Sequence, residues 1–336
     1  MAAVLRVAVL ALIALLMLWP LTARASAATV IPVGRAVGIK LFSDGVVVVG
    51  TSDIITPQGT VNPAKACGLK EGDIITHINS TEVDTIEEVS ALLQEVRDEP
   101  LNIQAIRDDR EVQLTARAAL CSADGEYKLG AWIRDSMAGI GTVTFYCPDT
   151  GAFGALGHGI NDVDTALLMP MESGSILPAS VSGVQKGTVG SPGQLKGVFD
   201  TSRTLGELAV NTTGGVFGTM TENWVTGTEM EVAQRNEVRA GNATILCNIS
   251  GDQVEEYSIR IERVYPVSES DCRDFLIRVT DQRLLDATGG IVQGMSGSPI
   301  LQNGKLVGAV THVMVDDPTR GYGIYAGRML QQCQGF

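Results

Sequence analysis

The stretch Gly294-Met-Ser-Gly-Ser-Pro-Ile-Leu-Gln-Asn-Gly-Lys-Leu-Val-Gly-Ala-Val-Thr311 decides how the rest of the chain is read. A loop bracketed by Gly294 and Gly297 feeds an apolar strand at Ile300-Leu301. A turn at Gln302-Asn303-Gly304-Lys305 follows, and then a second strand over residues 306–311. Two apolar runs joined by an Asn-Gly turn form a β-hairpin. The loop itself invites chemistry. Glycine lets the backbone come close to a ligand, so Ser296 could present its hydroxyl beside bare N–H groups. That pairing supplies a nucleophile and donors for the oxyanion of acyl transfer. A lone G-x-S-G serves equally well as a turn between two strands, so the case depends on the partners a serine needs.

The chain has three histidines, His77, His158 and His312. His158, in Phe153-Gly-Ala-Leu-Gly-His-Gly-Ile-Asn-Asp162, is flanked by glycines after a small-residue strand and is the candidate base. His77 lies in a strand of a separate small domain and reads as structural. His312 ends the strand after the serine loop; it could line a cleft or be a satisfied structural histidine. Asp281 precedes Ser296 by fifteen residues and follows the strand Phe275-Leu-Ile-Arg-Val279, which makes it the candidate acid. Asp162 and Asp164 are nearer to His158 in sequence, but neighbours rarely fold back to orient the same ring. The order His158, Asp281, Ser296 has the sense of chymotrypsin-like peptidases.

The run G-x-S-G-x-P followed by Ile300-Leu301 resembles the nucleophile region of those peptidases, with Met295 and Ser298 replacing the usual Asp and Gly. Three longer segments narrow the resemblance: A-L-G-H-G-I-N-D-V-D-T, T-D-Q-R-L-L-D-A-T-G-G-I-V-Q-G-M-S-G-S-P-I and T-H-V-M-V-D-D-P-T-R-G-Y-G-I-Y. Together they resemble the sporulation stage IV protein B serine peptidases. The resemblance implies Ser296 as nucleophile, His158 as base and Asp281 as acid, with the N–H groups of Gly294 and Ser296 as oxyanion hole. It also implies a signalling protease exported across the inner forespore membrane. There it would cut a membrane-bound regulator of an intramembrane metalloprotease, and itself near the N-terminus, to switch on a late sigma factor.

Upstream, Ala66-Cys-Gly-Leu-Lys-Glu-Gly-Asp-Ile-Ile-Thr-His-Ile-Asn79 resembles the A-G-L-x-x-G-D-x-I-x-x-I-N run of PDZ domains. Apolar residues at 86, 89, 92, 93 and 96 predict a helix, capped by Asp84 or Thr85. In the PDZ fold an extended peptide adds a strand to a sheet edge beside a nest of N–H groups. Gly38, Ile39 and Lys40 are the residues expected to form that peptide-binding edge. The alternative is a PDZ-like domain that only packs against the peptidase.

These readings predict a mainly β protein. A signal peptide or membrane anchor at 1–28 precedes a small α+β PDZ domain at 34–118. A chymotrypsin-like double β-barrel peptidase domain follows at 119–336. The leader rests on Arg6, a fifteen-residue apolar run over 7–21 and A-x-A arrangements after it. An exported location and membrane proximity follow from it.

A net charge of −13 leaves no surplus of cations for phosphates, so nucleic acid is not an expected partner. The expected partners are a protein substrate and the chain's own N-terminal segment. Six cysteines without a C-x-x-C pair, and three scattered histidines, predict mostly free or sporadically paired thiols and no metal or other cofactor. The rival reading is a non-catalytic PDZ scaffold of the cell envelope; the three triad residue types in order count against it.

Overall fold

The computed structural model describes residues 28–266, 272–333 and 335, so the leader expected at 1–28 lies outside the described residues but for Ala28. The elements up to the PDZ helix are β1 (Thr29–Pro32), β2 (Ala36–Thr51), α1 (Pro63–Cys67), β3 (Ile74–Ile78) and α2 (Ile86–Val96). Then come β4 (Pro100–Arg107), β5 (Arg110–Arg117), β6 (Ala131–Tyr146), β7 (Ala152–Ala155), β8 (Ser173–Gln185) and β9 (Gln194–Phe199). Next are β10 (Gly206–Thr212), β11 (Gly215–Met220), β12 (Gly241–Ser250), β13 (Gln253–Val264), β14 (Phe275–Val279) and α3 (Gln282–Thr288). The chain closes with β15 (Pro299–Gln302), β16 (Lys305–Met314), β17 (Asp317–Tyr325) and α4 (Ala326–Cys333).

The strands form two rings. The second is a closed six-stranded barrel in the order β12, β13, β14, β17, β16, β15. The first closes through antiparallel pairs from β2 to β6, β7, β11, β10, β8 and back to β2. Closure leaves neither ring an edge, which is how all-β domains of this length avoid exposed ladders. The core of the second barrel gathers Ile245, Ile259, Phe275, Ile277, Ile300 and Val310; that of the first gathers Val37, Val143, Phe153, Ile176 and Val216.

The PDZ module is inserted into the first barrel. The early part of β2 pairs with β6 and β8 in the ring, whereas Val46 and Val47 pair with β3. The early part of β6 likewise pairs with the late part of β2, and a register shift between Arg134 and Ser136 bends the pair as it passes from one body to the other. The strands β3, β4 and β5 extend the PDZ sheet. Helix α2 covers it with Val89 and Leu93, and Thr85 and Glu88 complete a capping box at its start. Asp73, in the Gly-Asp of the PDZ-like run, is fully buried and held by Arg107 Nε at 2.6 Å.

Two expectations change here. The boundary at 34 fails because the barrel takes the first half of β2 from one side of the PDZ segment and most of β6 from the other. Gly38, Ile39 and Lys40 are no open PDZ edge. They pair with Ile140, Gly139 and Ala138 on one side and with Leu177, Ile176 and Ser175 on the other, so no peptide can add there. The edge of the PDZ sheet beside α2 is filled by the chain itself. Ala131–Arg134 pair with residues 47–51, Ile86 N–H donates to Asp135, and Gln94 brackets the backbone of Tyr127.

Candidate active site

Ser296 sits on the loop between α3 and β15, half-buried, with Met295 beneath it fully buried. The loop is fastened from within by Met295 N–H to Val292 O (3.1 Å) and Ser298 N–H to Met295 O (3.0 Å). It is fastened from the first barrel by Thr142, whose N–H donates to Ser296 O (3.1 Å) and whose hydroxyl donates to Gly294 O (2.8 Å). Gly297 explains the spacing of the motif. Its φ is 97°, and a Cβ there would lie 2.1 Å from Thr142 O, so only glycine lets the loop meet the other barrel. Neither the Gly294 N–H nor the Ser296 N–H has a protein acceptor among the described residues.

His158 arrives on the other wall, after β7. The chain reaches it through a strained turn: Leu156 has φ 67° and Gly157 N–H donates to Ala155 O at 2.8 Å, a γ-turn that a leucine adopts only when its surroundings force it. The force is visible in Thr142 O, which accepts Leu156 N–H at 3.2 Å. The imidazole Nδ1 lies 2.8 Å from Gly159 O. A carbonyl only accepts, so Nδ1 carries the proton and Nε2 the lone pair a base requires. Burial pushes the His158 pKa below the ordinary imidazole value, and the Gly159 carbonyl raises it by a lesser amount.

Ser296 and His158 line one cleft of about 470 Å³, with Ile39, Ile140, Leu156, Val292 and Val313 on its apolar walls. The cleft also contains His312, whose ring centroid is 5.0 Å from that of His158. The Ser296 hydroxyl donates to Thr311 O at 2.8 Å rather than to His158. The hydroxyl is thus held on the wall of the second barrel, in the same cleft as the imidazole. Catalytic hydrogen bonds are often loose before substrate binds.

Asp281 is not brought to His158. Its side chain caps α3, accepting from Arg283 N–H at 3.0 Å and Ser258 N–H at 3.2 Å, with Arg283 Nε and Nη2 at 3.1 and 3.0 Å. Arg283, then the backbone donors, hold its pKa down at about 2. The reason is local: an Asp ahead of a helical run finds its partners in its own first turn. The signal was present in the sequence as a helix start. Asp162 and Asp164 pair with Arg134 of β6, and Asp162 also accepts from the N–H groups of Asp164 and Thr165. His77 lies on β3 of the PDZ sheet.

Of the expected peptide-binding residues, Ile39 faces the cleft, Gly38 is pressed against Phe199 and Lys40 lies over the Phe42 ring. Thr142 was not legible as a site residue; a threonine in a β-strand is ordinary, and it lies 152 residues from Gly294.

The comparisons with known proteins fit this layout. The family model described as SpoIVB peptidase S55 matches residues 125–330, and a PDZ domain model matches residues 59–107. No curated protein sequence matches the chain at a significant level. Among solved structures, the PDZ domain of the SdrC-like protein Lmo2051 from Listeria monocytogenes is 21% identical, covering 27% of this chain and 87% of its own, with a TM-score of 0.23. The active form of the Rv3671c protease from M. tuberculosis is 14% identical over 60% of this chain and 76% of its own, with a TM-score of 0.34. Its inactive form is 13% identical over 59% and 85%, also at 0.34. Likeness at that level carries no argument about the site. The family match runs from before β6 through both walls of the cleft. It places this chain, a serine endopeptidase built around a PDZ module, in the SpoIVB peptidase S55 family.

Proposed function

We propose that Ser296 attacks the scissile carbonyl while His158 takes its proton through Nε2. The Gly159 carbonyl fixes the imidazole tautomer, the task a carboxylate performs in the Ser-His-Asp arrangement. The free N–H groups of Gly294 and Ser296 receive the oxyanion. One observation carries this reading: the serine and the histidine come from different barrels into one apolar cleft, where both unpaired N–H groups also lie on the serine's loop. The substrate is a protein segment that reaches the cleft extended.

The finer role follows the family. The chain acts outside the cytoplasmic membrane as a sporulation signalling protease, cutting a membrane-bound regulator of an intramembrane metalloprotease and its own N-terminal segment. The long resemblance around His158, Ser296 and His312 supports it. A fluorophosphonate probe should label the purified chain and leave Ser296→Ala unlabelled. Labelling that survives the substitution removes Ser296 from the mechanism. Incubation with the exported domain of such a regulator should give one discrete cut that the same substitution abolishes; an intact regulator rejects the signalling role.

A further inference from the structure

Helix α4 follows directly from β17 of the second barrel and packs against both barrels. Ala326, Met329 and Cys333 are buried against Phe145, Ala152 and Phe217, and Gln332 Oε1 accepts from Thr212 Oγ1 at 2.8 Å. At the end of this helix Cys333 shares an apolar cluster with Cys147, which stands one residue past β6 and whose N–H donates to Ala152 O at 2.8 Å. Cys333 Sγ also lies 3.7 Å from Phe153 O on β7, the strand that leads to His158. The two sulfurs therefore come from the last helix of one barrel and the wall of the other. All six cysteines are free thiols in this structure.

We infer that Cys147 and Cys333 are a disulfide site, which clamps the C-terminal helix of the second barrel to the first. Adjacent residues of β7 hold both cysteines, Ala152 O accepting the Cys147 N–H and Phe153 O lying against Cys333 Sγ, and a disulfide needs the two backbones close in this way. The pair is also chemically asymmetric. The Cys333 proton stabilises the Cys147 thiolate and holds its pKa down, while Cys333 is pushed up by the same contact and by burial. Half-buried Cys147 is the more accessible of the two and fully buried Cys333 the less.

The step balances with a small disulfide as oxidant. The Cys147 thiolate attacks one sulfur of the oxidant and expels the other as a thiol, giving a mixed disulfide. Cys333, its proton passed to solvent, then attacks Cys147 Sγ and releases the second thiol. The chain loses two electrons and two protons, and the oxidant gains them.

The bond would close a loop of nearly the whole catalytic unit, the case in which a cross-link constrains the unfolded chain most. The full chain should be equilibrated with glutathione disulfide under native conditions, alkylated and mapped by mass spectrometry. The expected result is one linked peptide pair, Cys147 with Cys333, and a mass lower by about 2 Da. The oxidised chain should melt higher by about 5 °C, a gain that reductant removes. Cys147→Ser and Cys333→Ser should each abolish the linked peptide. Because a variant could misfold, the wild-type map decides. Six alkylated thiols after oxidation, a bond to Cys272 in the same cluster instead, or a bond formed only in denaturant each overturn the assignment.

Discussion

The two barrels contain six strands each, but the chain closes them by opposite routes. The second is assembled from one uninterrupted stretch, β12 to β17, and its nucleophile loop is braced by its own residues 292–298. The first waits for β6 to return after the whole PDZ module has been made, so its closing pair β2–β6 joins segments far apart in sequence. Non-local closure of that kind is the slow, late event of folding. It also leaves the base side mechanically tied to the PDZ sheet, since β2 and β6 belong to both. Arg134, at the bend of β6, holds Asp162 and Asp164 just past His158, while Thr142 further along the same strand holds the serine loop. One strand therefore touches both walls of the cleft.

If the two walls work as one device, Ser296→Ala and His158→Ala should each lower kcat by about 10⁴–10⁶, with melting temperatures close to wild type. The double variant should be no worse than the poorer single one. Losses that multiply would mean that the walls act separately and that the base lies elsewhere, with His312 the next residue to substitute.

Thr142→Val probes the joint between the walls. It keeps the shape and the N–H bond to Ser296 O but removes the hydroxyl donor from Gly294 O. Leaving a part-buried carbonyl unpaired costs about 1–3 kcal/mol. If that cost falls on the oxyanion loop, kcat should drop by about 10–100-fold with KM little changed. A loss confined to thermal stability would make Thr142 a barrel residue only.

The residues behind these substitutions differ in how far they could be read without coordinates. The hairpin after Ser296, the helix at 86–96 and the glycines around His158 are local patterns, fixed by turn chemistry and periodicity, and the structure has each of them. The first barrel was not legible as such. Val37-Gly38-Ile39-Lys40-Leu41 is a good strand in either body, and only its long-range partners on β6 and β8 decide which. Thr142 escaped for the same reason. Asp281 follows the chain order of a triad acid, but its nearest partners, in the first turn of α3, make it a helix cap.

The acid limb of the pH–rate profile tests the base side more gently. His158 must be neutral to accept a proton, and burial holds its pKa below the ordinary imidazole value. Activity should therefore persist as pH falls through that ordinary value and decline only at lower pH, about tenfold per unit thereafter. A carboxylate beside the ring would shift the limb the other way, above the ordinary value, and such a profile would return an acid to the site.

The smallest effect is expected at Asp281, and it separates sequence order from geometry most sharply. Asparagine caps a helix about as well as aspartate, so Asp281→Asn should preserve α3. What it loses is the charge pair with Arg283, whose side chain is 61% exposed, so water screens most of it. Activity should stay within about threefold of wild type, because the Gly159 carbonyl, not this carboxylate, holds the His158 proton. The stability difference has a defined pH window. Folding lowers the Asp281 pKa from 3.8 to about 2, so its contribution is complete above the unfolded value and fades as pH falls towards the folded one. Melting curves of wild type and variant should therefore converge between about pH 4 and pH 2. A loss of about 10⁴ in kcat at unchanged stability is the contrary outcome. It would require α3 and its cap to move to the histidine during catalysis, and so the two barrels to rearrange.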